Sequence, residues 1–311
     1  MNVLVTGASG FTGQSMLRYL NGILPADAAL IAHYRASPVP SGIPCTRLRA
    51  NLRSAAETES MIRASEPDYI LHLAGRTRGS RDDLFADNTL AAGNLIDAVR
   101  GAADSAVVLL VSSAAVYGNA GDLPVPETTH IAPVSTYGAA KAAEELLVYA
   151  EMERYGLRIS IARPFNLCGP GQSGAFALGS VIRQAVAIER HEQETLQLAN
   201  IDSRRDFIDV RDAVRAFWAI AAHTAFDSAC RGVRFNVGSG ASTSVREILQ
   251  MIEAVAGRSY PVSAHPSPEL IPAQTADITR ICTVCRWKPE WTLERTMESM
   301  LAAERETPRT P

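Results

Sequence analysis

The chain has no block of lysine or arginine, and its net charge is only −3. A basic face for nucleic acid or an anionic membrane is therefore not expected, although small anionic ligands stay open. Long apolar runs are missing too, since no uninterrupted stretch is long enough to cross a bilayer. An apolar run starts directly after Met1, with no charged and apolar leader before it, so the expectation is a cytoplasmic protein. Cysteine is sparse: Cys45, Cys168, Cys230, Cys282 and Cys285 are odd in number and read as reduced thiols. Cys282 and Cys285 have metal-ligand spacing, but no second pair completes a set of four, and no metal is expected. Acidic side chains are also missing at the end of one apolar run, His33-Tyr34-Arg35-Ala36-Ser37.

What is present begins with Gly7-Ala8-Ser9-Gly10-Phe11-Thr12-Gly13, between the apolar run Val3-Leu4-Val5 and the helically spaced Met16, Leu17 and Leu20. Strand, tight turn and helix in that order open a dinucleotide-binding unit, in which glycines let the backbone approach a pyrophosphate. Further apolar runs at Ala29–Ala32, Tyr69–Ala74, Ala106–Val111 and Leu157–Ala162 alternate with helical patterns at Ser54–Ser65, Leu84–Arg100 and Tyr137–Tyr155. That rhythm predicts an α/β fold, a Rossmann-like doubly wound parallel sheet. From about Gly169 the rhythm breaks up, which predicts a smaller, mostly C-terminal α/β substrate-binding lobe. The expected division is residues 1–168 for the dinucleotide and 169–311 mainly for the substrate, with about 205–240 returning to the first domain. Helices are expected at Ala213–His223, Val245–Ala256 and Leu293–Arg305, and a strand at Val233–Val237. Alanine-rich helices near Asn88–Ala102 and Tyr137–Ala150 would permit close packing, either within the chain or against a second copy in a homodimer.

Tyr137 and Lys141 stand four residues apart on one helix face, where an ammonium stabilises the phenolate of its neighbour. Such a pair moves a proton to or from a sugar hydroxyl while a nicotinamide exchanges hydride at the same carbon. Ser112-Ser113 follows the run Val107–Val111, at the strand end where open α/β sheets bind ligands. At the end of the second run Arg35 replaces the acid that would bond the ribose hydroxyls of NAD, which favours NADP, with NAD still admissible.

These segments, with Leu73-Ala74-Gly75, Ser112 to Gly118, Arg163 to Pro170, Arg205 to Val210 and Trp287-Lys288-Pro289, resemble the extended short-chain dehydrogenase/reductase family over nearly the whole chain. The resemblance implies Ser113, Tyr137 and Lys141 as the catalytic residues, Tyr137 and Lys141 also holding the nicotinamide ribose. It implies Gly7, Gly10, Phe11, Thr12, Gly13, Arg35, Asn51, Leu52, Leu73, Ala74, Gly75 and Pro164 around the cofactor. Arg76, Ser113, Asn166 and Arg205 are implied at a nucleotide-sugar substrate, Arg205 on its pyrophosphate. Family 4,6-dehydratases need two carboxyl side chains after the catalytic serine or threonine, and Ala114 and Ala115 cannot transfer protons. Reduction of a keto-sugar and 4-epimerisation both survive. The stretch Ile201–Trp218 is most similar to reductases of GDP-4-keto-6-deoxymannose that form GDP-rhamnose, while Ser112 to Gly118 is equally at home in 4-epimerases that retain NAD. A non-catalytic cofactor-binding regulator is the third reading, and its mark would be loss of Tyr137 or Lys141.

Overall fold

The structure, a computed structural model, describes residues 1–121, 124–265 and 271–308. The apolar runs of the first half become parallel strands, because residues covered on both faces of a sheet need no polar alternation. β1 (Asn2–Thr6), β2 (Ala29–Tyr34), β3 (Thr46–Arg49), β4 (Tyr69–His72), β5 (Val107–Val111) and β6 (Arg158–Pro164) lie in the order β6-β5-β4-β1-β2-β3. Between them run α1 (Phe11–Ile23), α2 (Ala55–Ser65), α3 (Arg81–Phe85), α4 (Ala91–Ala102) and α5 (Thr136–Tyr155). Ser54 and Ser135 start α2 and α5 by accepting the backbone N–H of Glu57 and Gly138, which satisfies donors the helix cannot pair itself. Val3, Val5, Met16 and Leu20 belong to one apolar layer; Leu4, Ile70, Ile62 and Leu95 belong to the other.

The stretch Leu84–Arg100 is helical throughout, but its middle is not α-helical. α3 stops at Phe85, Ala86–Leu90 forms a π-helical turn, and α4 begins at Ala91. The widened turn buries Asp87 and Asn88. Asn88 accepts the N–H of Arg76 at 3.1 Å and donates to the carbonyls of Arg76 at 2.9 Å and Leu84 at 2.7 Å. Its amide thus pins the loop after β4 to the turn, the kind of functional insertion that π-helical turns accommodate. β4 also ends at His72, two residues before the apolar run does, so Leu73–Gly75 are loop.

The second half comprises β7 (Asn166–Cys168), α6 (Ala177–Glu189), β8 (Leu196–Ala199), β9 (Arg204–Asp209), α7 (Val210–Ala221), α8 (Phe226–Ala229) and β10 (Arg234–Val237). After these come β11 (Ser242–Ser244), α9 (Val245–Ala256), β12 (Val262–His265), β13 (Ala273–Gln274), α10 (Thr279–Cys285) and α11 (Leu293–Glu306). β10 pairs in parallel with β6 as the seventh strand of the main sheet. β9 runs between β11 and β13 in a small second sheet, with β7 also paired to it. Leu178, Val181, Ile182, Phe207, Ile248 and Met297 form the core beside it.

Candidate active site and cofactor cleft

β1 runs into Gly7 at φ +64°, where a Cβ would come within 2.7 Å of the Ala74 Cα, and a Cβ on Gly13 would lie 2.2 Å from the Gly7 carbonyl. A side chain at Gly7 would push the turn off the loop after β4, and one at Gly13 would push α1 off the turn. α1 starts from Gly10 with no side-chain cap and no acidic residue in its first turn, so its N–H groups and dipole are available to an anion. This cradle fits the pyrophosphate of a dinucleotide. A cleft of about 480 Å³ beside it is lined by Gly7, Gly10, Arg35, Asn51, Leu52, Leu73, Ala74 and Gly75. Arg76, implied at the substrate, also lines this cleft. Phe11, Thr12 and Gly13 form the first turn of α1, and Pro164 is buried at the end of β6.

Three guanidinium groups converge inside the cleft on one residue that sequence patterns did not mark, Asp87. Its Oδ1 accepts Arg35 Nη1 at 2.5 Å and Arg53 Nε at 2.6 Å, and its Oδ2 accepts Arg76 Nε at 2.6 Å. Arg53 Nη2 also reaches Asp83 at 2.8 Å. Burial opposes the charge on Asp87, yet the hydrogen bonds from the three arginines outweigh it and hold the carboxyl well below the usual carboxylate range.

Ser113 follows β5, and Tyr137 and Lys141 come from the first turns of α5. A Cβ on Gly138 would lie 2.5 Å from the Ala115 carbonyl, so the small residue beside Tyr137 lets α5 close onto the serine turn. Ser113 Oγ accepts the Ala115 N–H at 3.1 Å, which leaves its own hydrogen for another acceptor. Burial pushes the Tyr137 phenol up against the opposing effects of Lys141 and Ser113, so the phenol is protonated at neutral pH.

Lys141 is only 3% exposed; its Nζ donates to the Val111 carbonyl at 2.8 Å and pairs with Glu144. Burial pushes the Glu144 carboxyl up, with Lys141 opposing. His72 Nε2 lies 3.9 Å from Glu144 Oε1, while His72 Nδ1 and Thr6 Oγ1 are 2.8 Å apart. Burial, then the Lys141 charge, pushes His72 down to about 3, so the ring is neutral and its contact with Glu144 is not an ion pair. Glu144 also escaped the sequence reading, although its place three residues after Lys141 puts it on the same helical side. Lys141 and Lys288 are the only lysines in the chain, a scarcity that itself singles out the ammonium beside Tyr137.

Behind the serine turn, Arg163 pairs with Glu145 at 2.6 Å and donates to Tyr117 Oη at 3.0 Å, and that hydroxyl donates to Asn236 at 2.6 Å. Ala114 and Ala115 occupy the turn after Ser113 and put no carboxyl group there. Gln274, from β13, donates to the carbonyl oxygens of Ala114 at 3.2 Å and Gly118 at 3.4 Å, tying the second sheet to this turn. Asn166 and Arg205 stand on the paired strands β7 and β9; Asn166 Nδ2 donates to the Asp206 carbonyl at 3.3 Å, and Arg205 Nη1 to Ser203 Oγ at 2.7 Å. Among the described residues, no cluster of three or more His, Cys, Asp or Glu side chains could hold a metal, and no helix is long and apolar enough to cross a membrane.

The chain is 29% identical to GDP-6-deoxy-D-mannose reductase of Pseudomonas aeruginosa, over 96% of each protein. It is 30% identical to UDP-glucose 4-epimerase of Mycolicibacterium smegmatis, over 93% of this chain and 94% of that one. Among solved structures, RMD from Pseudomonas aeruginosa complexed with NADPH superposes with a TM-score of 0.85 at 26% identity, over 98% of this chain and 99% of that one. The model of the NAD dependent epimerase/dehydratase family matches residues 3–238. The glycine cradle, the cleft and the serine–tyrosine–lysine group all fall within that span, and the chain belongs to the NAD dependent epimerase/dehydratase family.

Proposed function

We propose that this protein is an NADP-dependent reductase of a nucleotide sugar, acting on a 4-keto-6-deoxy sugar such as that of GDP-4-keto-6-deoxymannose to give GDP-rhamnose. The observation that carries the reading is that α5, bearing Tyr137 and Lys141 on one face, closes through Gly138 onto the turn that begins at Ser113, with no acid at 114 or 115. Bound reduced nicotinamide supplies the hydride. Tyr137 gives its proton to the carbonyl oxygen as that oxygen gains charge, Ser113 donates a hydrogen bond to the same oxygen, and Lys141 stabilises the phenolate left behind. Asn166 and Arg205 would hold the sugar nucleotide, Arg205 as a multidentate donor to its pyrophosphate. Arg35, at the end of β2, supports NADP, since it suits a 2′-phosphate where an acidic residue would repel one.

A 4-epimerase with retained NAD is the second reading, favoured by the likeness to UDP-glucose 4-epimerases and served by the same three residues. A regulator without turnover is disfavoured because both Tyr137 and Lys141 are intact. We further infer a cytoplasmic homodimer, in which Leu90 and Leu146, 52% and 59% exposed, meet a second copy.

The test is nicotinamide absorbance with purified protein, NADPH or NADH, and GDP-4-keto-6-deoxymannose. Stoichiometric oxidation with GDP-rhamnose as product supports the reductase; no oxidation, with interconversion of UDP-glucose and UDP-galactose, supports the epimerase. Tyr137→Phe should lose about 10²- to 10⁴-fold in turnover while directly measured NADPH affinity stays, and near-normal turnover would overturn the assignment.

A further inference from the structure

Arg35, Arg53 and Arg76 reach Asp87 from three different segments, and they are not held equally. Arg53 is shared with Asp83, whereas Arg35 has the most exposed side chain of the three, 46% against 33% and 36%, and it alone stands at the end of β2. With Asp83 included, these three cations meet two anions, and Arg78 also lines the cleft, so the local charge is positive. The cleft is therefore mildly attractive to a further anion, but its best-placed guanidinium already has a carboxylate.

We propose that Asp87 is a built-in competitor for the cofactor's 2′-phosphate: Arg35 pairs with Asp87 until a 2′-phosphate replaces it. The inference rests on the cleft taking the adenosine half of a nicotinamide dinucleotide. When NADP enters, Arg35 exchanges one anion for another, and Arg53 and Arg76 keep Asp87 neutralised. NAD offers only a hydroxyl at that position, so Arg35 stays on Asp87. Preference for NADP is thus the difference between two ion pairs, smaller than an unpartnered arginine would deliver, and the protein accepts both cofactors with a modest bias. No bond is made or broken apart from these ion pairs.

The experiment measures direct binding of NADPH and NADH by quenching of protein fluorescence. Asp87→Asn should tighten NADPH about fivefold, the scale of one partly exposed ion pair, and leave NADH unchanged. In an Arg35→Met background the same substitution should lose most of its effect on NADPH and still leave NADH unchanged. Loosening of both cofactors together would mean that Asp87 only shapes the cleft, and equal tightening of both would mean that it merely obstructs entry; either result overturns the exchange. Crystal structures of the unsubstituted protein with 2′,5′-ADP and with 5′-AMP test it independently of how well a variant folds. The Arg35–Asp87 pair should be broken only by 2′,5′-ADP, and a pair broken by both or by neither overturns the proposal. If the unsubstituted protein binds neither cofactor, the cofactor reading itself has failed, which is a different outcome.

Discussion

Asp206 has no exposed surface, yet its carboxylate serves four donors. Oδ1 accepts the N–H and the hydroxyl of Ser239, each at 2.7 Å, and Oδ2 accepts the N–H groups of Gly240 and Ala276, each at 3.0 Å. Asp206→Asn keeps the shape and leaves one acceptor oxygen. The amide should turn its NH₂ toward Ser239, because the hydroxyl can reverse and accept it while donating to the Ala241 carbonyl, 3.0 Å away. The Ser239 N–H then has no acceptor, which costs about 1–3 kcal/mol, and the two bonds to Oδ2 weaken by about 0.5 kcal/mol each on losing a charged acceptor. Relief from burying a charge takes the sum toward its lower end, about 2–3 kcal/mol. For a chain of this size that lowers the melting temperature by roughly 3–5 °C. Asp206→Ala, which strands three N–H groups, should cost more. Differential scanning calorimetry of the three proteins decides the matter. An asparagine variant within about 2 °C of the parent, or below the alanine variant, would refute the four-donor account.

Glu144→Gln removes a carboxylate whose charge raises Tyr137, leaving Lys141, Ser113 and the neutral His72 around the pair. Tyr137 should lose its proton at lower pH, so the alkaline fall in kcat should move toward neutrality; a pH–rate profile that stays put or moves the other way contradicts the arrangement. Leu146→Glu places a charge on the exposed side of α5 and should convert a dimer to a monomer in sedimentation without lowering the melting temperature of the subunit; an unchanged sedimentation coefficient rules out this face as the interface.

Strands buried on both faces announce themselves, and Val3–Val5 and Val107–Val111 could be read directly from their unbroken apolar runs. β3, with the sequence Thr46-Arg47-Leu48-Arg49, could not, because it is an edge strand held by backbone pairing with β2 and mostly exposed. α6 does carry helical spacing in Leu178, Val181, Ile182 and Ala185, but the glycine- and proline-rich segment before it masked the pattern. At the site, Tyr137 and Lys141 were legible because one helix carries both. The grouping of Arg35, Arg53 and Arg76 on Asp87 was not, since it exists only where the loops after β2 and β4 and the entry to α2 meet a π-helical turn. The same holds for the Glu144 carboxyl and His72, which come from α5 and β4.

The pairing of β10 with β6 also has a temporal side. Residues 165–233 are synthesised between the two strands, so the main sheet cannot be completed until they have all emerged. At about 5–20 residues per second, the edge of β6 stays without its partner for roughly 3–14 s, exposing a row of backbone donors and acceptors to other chains. Elongation rate over that interval sets how long that edge stays open: rapid elongation shortens the exposure, and a ribosomal pause there lengthens it.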